Sequence, residues 1–150
     1  MGVPSSAASY AAGQDLAPAA LRSAGLLEQL IASGLEVHDD GDLPHQAWRP
    51  DRDHPLAQNA GQATMSVQQL ADRLYPLLAR GDIALVLGGN CTIALGVVAA
   101  LRLLGGGAPR DQRMRVLSIG ELNPTRCAGD PDALPRFVSS IARILAATAR

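Results

Sequence analysis

The stretch from Ile83 to Gly96 constrains the fold more than any other. Ile83-Ala-Leu-Val-Leu87 is an unbroken apolar run, followed at once by Gly88 and Gly89. A short continuous run of this kind predicts a strand buried on both faces. The two glycines permit a sharp turn. From Thr92 to Leu104 the residues are almost wholly apolar, with Arg102 the one charge, which predicts a largely buried helix. Strand, glycine turn and helix together place Asn90 and Cys91 at the carboxyl end of a strand, where open α/β sheets bind their ligands.

The flanking segments repeat this alternation. Pro18 suits the first turn of a helix, and Ala20, Leu21, Ala24, Leu27, Leu30 and Ile31 form one stripe that runs until Gly34,. Leu35 to His38 reads as a strand, followed by the acidic turn Asp39-Asp-Gly-Asp42. Residues 43–65, rich in proline and charge, read as a long irregular loop,. Ser66 with Gln69 forms a capping-box pattern for a helix through Leu78 that Pro76 should kink or split near Tyr75,. Residues 108–113 read as a polar loop, 115–120 as a further strand, and Phe137, Val138, Ile141, Ile144 and Leu145 mark a last amphipathic helix from Pro135,. The opening Met1-Gly-Val-Pro-Ser-Ser reads as the end of a strand entering a loop, a clipped first strand. The expected strands are thus 35–38, 83–87 and 115–120, with a stub at 1–3. They predict an α/β fold, a three-layer α/β/α domain over 1–150 with a short, mainly parallel sheet.

Composition narrows the function classes. A net charge of −1 and only 3% aromatic residues give neither the basic surface nor the stacking platforms of a nucleic-acid binder. All 13 basic residues are arginine. No run approaches the roughly 18 apolar residues that span a bilayer, and no leader pattern opens the chain. Cys91 and Cys127 are then expected to be reduced thiols of a cytoplasmic protein,.

Cys91 has two readings. At a helix N-terminus a thiol loses its proton more easily and becomes a nucleophile, with His38, at the end of a neighbouring strand, the candidate base. Otherwise it is an inert, half-buried thiol. Cys91 with His38 or Glu121 would make a mixed soft and hard set, plausible for zinc, but the spacing carries too little weight for a metal site, and none is expected. His45 and His54 fall in the long loop and read as solvated.

Three stretches taken together resemble the arginase and agmatinase (ureohydrolase) family. Gly13-Gln-Asp-Leu-Ala-Pro-Ala-Ala-Leu-Arg22 is similar to the family's G-P-a-a-L-R, and leads on to Gly41-Asp42. Leu85-Val-Leu-Gly-Gly-Asn-Cys-Thr-Ile-Ala-Leu-Gly96 is similar to l-v-L-G-G-D-H-S-i-a-l-G. Val116-Leu-Ser-Ile-Gly-Glu-Leu-Asn-Pro124 is similar to the family's last strand, which ends in v-E-x-N-P. The resemblance implies a half-size version of the family fold, with the first strands lying directly beside the last.

It also implies a parent activity, hydrolysis of C–N bonds in guanidino or amidino compounds at a two-manganese centre. Here Cys91 stands where the motif has its ligand histidine and Asn90 where it has the preceding aspartate. No D-A-H-x-D or D-x-D motif occurs where the family carries them, between the helix ending at Leu104 and the strand from Arg115. Glu121 matches the position that holds the substrate's guanidinium or amine. The implied protein is a pseudoenzyme or small-molecule-binding module, without cofactor, that takes a small cationic ligand through Glu121, Asn90 and His38. The alternative is a metal-free enzyme of specialised metabolism using Cys91, Glu121 or both. The resemblance also implies an open sheet edge that a second copy of the chain would cover.

Overall fold

A computed structural model describes residues 1–105 and 115–148. The polar loop expected over 108–113 lies outside the described residues. The elements run β1 (Gly2–Val3), α1 (Ala17–Ser23), α2 (Leu26–Ala32), α3 (Ala60–Ala79), β2 (Ala84–Gly88), α4 (Ile93–Leu104), β3 (Val116–Ile119) and α5 (Ala133–Thr148), with 3-10 turns at Gln14–Leu16 and Pro124–Cys127. The strands lie in the order β1-β2-β3, all parallel.

The alternation of side chains along β2 divides the core into two layers. Ala84 and Val86 face Leu70, Leu74 and Leu78 of α3 and Ile93, Val97 and Ala100 of α4. On the opposite face, Leu87 and Ile119 pack against Leu21, Leu26, Leu30, Val138, Ile141 and Leu145, from α1, α2 and α5. The three-layer α/β/α arrangement follows. Gly96 lets α4 lie close on α3, for a Cβ there would stand 2.9 Å from Leu70 Cδ2 and 3.0 Å from the Val67 carbonyl oxygen.

Several elements differ from the reading of the sequence. The strand expected at 35–38 does not form. The chain meets β1 only further on, through isolated parallel bridges Gly2↔Asp42 and Ser5↔Gln46. Between them stands Pro44, which has no N–H to give a ladder, while Asp39 and Asp42 are both drawn to the Arg22 guanidinium at 2.8 Å. The single helix expected from Pro18 to Ile31 is two, broken where Gly25 adopts a φ of 83°.

Helix α3 begins at Ala60, so Ser66 is not a cap. It is buried in the helix and donates to Gln46 Oε1 at 2.7 Å. Pro76 does not divide α3, which runs on to Ala79. The proline is exposed and within the last turn, where the one lost bond falls on a solvated carbonyl. Nor is α4 largely buried: Leu95 is 62% and Leu103 61% exposed, because among the described residues only one of its faces has a layer to pack on. No helix among the described residues is long and apolar enough to cross a membrane.

Leu74 and Leu95 therefore make a matched pair. Truncating the fully buried Leu74 to alanine should cost about 3 kcal/mol, whereas the same change at Leu95 should cost about 0.5 kcal/mol or less. Urea unfolding midpoints of the two variants check the assignment of the two faces.

Candidate functional site

The carboxyl ends of β1, β2 and β3 converge on one polar mouth. Gly89 donates to the Val3 carbonyl at 3.0 Å and Asn90 to the Ser5 carbonyl at 3.1 Å. A Cβ on Gly89 would fall 1.7 Å from the Ser5 carbonyl oxygen, and one on Gly88 would fall 1.9 Å from Ile93 Cδ1. No other residue fits either place without moving backbone or core, and this is why the turn after β2 is a glycine pair.

Asn90 is buried, 1% exposed. Its Oδ1 accepts from the Thr92 backbone N–H at 3.1 Å and from the Thr92 hydroxyl. Its Nδ2 donor has no partner among the described residues. Cys91 is exposed, and its backbone N–H donates to Glu121 Oε1 at 2.7 Å. Gln14 Nε2 donates to the other carboxylate oxygen at 2.6 Å. Glu121 itself takes a left-handed φ of 63°, a conformation that costs a non-glycine residue about 1 kcal/mol. Its backbone N–H donates to the Gly89 carbonyl at 2.7 Å, and the three bonds together hold it there. The chain leaves β3 at Glu121 with its carboxylate turned back across the mouth.

This carboxylate reverses the expected chemistry of Cys91. The hydrogen bond between thiol and Glu121, then burial, then the negative charge of the carboxylate all raise the thiol above its ordinary value, and only the backbone N–H opposes them. A helix N-terminus alone would lower it. The nearby carboxylate wins because it is a full charge in direct contact.

The structure brings Asn90, Cys91 and Glu121 together but not His38. His38 instead lines a separate pocket with Leu26, Glu36, Arg80, Asp82 and Ile83, which includes none of Asn90, Cys91 and Glu121. The strand at 35–38 that was expected to carry His38 to the mouth does not form. His45 is exposed, as read from the sequence, and it also places Nε2 2.7 Å from Asp15 Oδ2. The buried Asp15 also accepts from the Ser6 hydroxyl and, at 3.2 Å, from the Gly13 N–H. Burial pushes this carboxyl up, but the donors from Ser6, His45 and the backbone together leave it below the usual range. Gln14 and Asp15 are adjacent, so the support of Glu121 and the anchoring of His45 share one 3-10 turn. Nothing in sequence spacing signals a pair 30 residues apart, or the role of Gln14 across 107 residues.

The manganese pair that the family resemblance implies does not fit these residues. Among the described residues no group of three or more His, Cys, Asp or Glu side chains is placed to hold a metal ion. At the mouth stand an amide whose oxygen is already engaged by Thr92, a soft thiol and one carboxylate, where manganese prefers several hard oxygen and imidazole donors.

Comparison with known proteins accounts for the shared framework. The family model described as the arginase family matches residues 1–119, ending two residues before Glu121. The chain is 33% identical over 99 residues to arginase-1 of Homo sapiens, a match covering 66% of this chain and 31% of the human protein. It is 31% identical over 99 residues to the arginase of Bacillus subtilis strain 168, covering 66% and 33%. The crystal structure of arginase from Bacillus subtilis superposes with a TM-score of 0.56 at 29% identity, over 66% of this chain and 31% of that one. The matched region thus spans about a third of the relatives' length. The chain belongs to the arginase family.

Proposed function

We propose that this arginase-family chain is a metal-independent binding module, a pseudoenzyme that holds a small guanidino or amino cation on Glu121. The observation that carries the reading is the posture of that carboxylate, turned back over the mouth between the Cys91 N–H and Gln14 Nε2. A carboxylate offers about four lone-pair directions. The Cys91 N–H, Gln14 Nε2 and the Cys91 thiol occupy part of that capacity, and a planar guanidinium, which can give two charge-assisted hydrogen bonds, would take the thiol's place there. Asn90 and Thr92 shape the floor beneath it. The parent hydrolysis requires a metal-activated water, and the amide, thiol and single carboxylate of this mouth supply no set of hard ligands for one.

The expected outcome with arginine or agmatine is therefore no urea above the background, with or without added manganese. Manganese-dependent release of urea that disappears in Cys91→Ala would overturn the proposal.

The second reading, a metal-free enzyme with Cys91 as nucleophile, meets the raised thiol described above. In a Cys127→Ser background, the pH midpoint for alkylation of Cys91 by iodoacetamide should lie above that of the unfolded chain. Glu121→Gln removes the facing negative charge, so the midpoint should then move down. A wild-type midpoint below that of the unfolded chain would favour the nucleophile instead.

A further inference from the structure

A groove of about 370 Å³ opens beside the mouth, between the start of α3, the start of α4 and the loop at 55–58. Tyr10, Leu56, Ala63, Val67, Thr92 and Leu95 are among its lining residues, and none of the described residues that line it carries a charge. Thr92 is the next residue after Cys91, so the groove begins one residue from the amide that holds the Glu121 carboxylate. The polar side chain on its loop is already satisfied: Gln58 accepts from the Asp51 N–H at 2.8 Å and donates to the Asp51 carbonyl at 3.1 Å. Asn59 ties the end of that loop to the Ala7 carbonyl at 2.8 Å, and Trp48 Nε1 ties residues 48 and 9 at 2.8 Å, next to Tyr10. What these anchors hold open is apolar. Tyr10 is 96% and Leu56 101% exposed, and Leu95 stands out from α4. Apolar groups held in water around a groove mark a surface built to be covered.

From this arrangement we infer that the ligand is an amphipathic cation: a guanidinium or ammonium head on Glu121, and an uncharged alkyl or aryl tail lying along the groove toward Tyr10 and Leu56. The inference rests on the reading of Glu121 given above and extends it to the rest of the molecule bound. It also excludes a class. No arginine among the described residues lines the groove, so a tail ending in a carboxylate would be desolvated against them without a partner. The head meets a charge of opposite sign and the tail meets a neutral surface. A groove of this volume lies within the range of small-molecule sites.

The test is a comparison of n-hexylguanidinium, methylguanidinium and hexanoate, by calorimetry and by the emission of Trp48, the chain's one tryptophan. Hexylguanidinium should bind at least tenfold more tightly than methylguanidinium, since burying a few methylenes suffices for that factor. Hexanoate should not bind. Glu121→Gln should weaken both guanidinium compounds about tenfold. The double variant Tyr10→Ser, Leu95→Gln, at two exposed positions, should erase the advantage of the hexyl chain and leave methylguanidinium binding unchanged. Equal affinity of the two guanidinium compounds, both dependent on Glu121, would overturn the tail groove while the head reading stands. Hexylguanidinium binding that is indifferent to Glu121→Gln, binding of hexanoate, or no binding of either cation would overturn both.

Discussion

The arrangement of the site depends on one close approach of backbone to backbone. Where β2 ends, Gly89 passes so near Ser5 that a single added carbon would overlap its carbonyl oxygen. The contact is secured by the hydrogen bonds from Gly89 to Val3 and from Asn90 to Ser5. It fixes the exit of β1 against the exit of β2. It also leaves the Gly89 carbonyl free to accept from Glu121, which brings the exit of β3 to the same point. Three strand ends are thus joined through one glycine, and the polar side chains that follow each of them have no choice but to meet.

The chemistry of the mouth follows from which charge arrives there. A thiol above a helix N-terminus is commonly activated, but here a carboxylate reaches it first. Glu121 adopts a left-handed backbone that costs energy and is held by three hydrogen bonds, two to its carboxylate and one to its own N–H. Strain of this kind persists only where the surroundings over-determine it. The same bonds hold the carboxylate back over the mouth, where its charge and its contact with the thiol raise Cys91 above its ordinary value. The arginase-family match runs through β3, and what stands at the mouth is an amide, a thiol and one carboxylate.

Much of this was legible from residue order. The run Ile83–Leu87 with Gly88-Gly89 gives β2 and its turn, and the alternation of apolar strand and amphipathic helix gives the layers and the parallel sheet. The sequence also places Asn90, Cys91 and Glu121 at strand ends. What it hides is long-range. The apolar Leu35 and Val37 suggest a strand, but pairing is set by where Gly2 can admit a neighbour, and that neighbour is Asp42. Gly25 sits within an unbroken apolar stripe, and only its positive φ reveals the break between α1 and α2. The outer face of α4 looks like core because nothing local says that no further layer among the described residues covers it. The partners of Glu121 and His45, Gln14 and Asp15, are ordinary polar residues in an ordinary turn until the fold brings them across the sheet.

The central claim is that an organic cation sits on Glu121 without a metal between them. A crystal of the full chain grown in chelator and soaked with guanidinium tests it most directly. The account predicts planar density within hydrogen-bonding distance of the two Glu121 carboxylate oxygens, beside Cys91 and above Asn90. Density for the cation elsewhere with the Glu121 mouth empty, or guanidinium bound at the mouth only after manganese is restored, would contradict it.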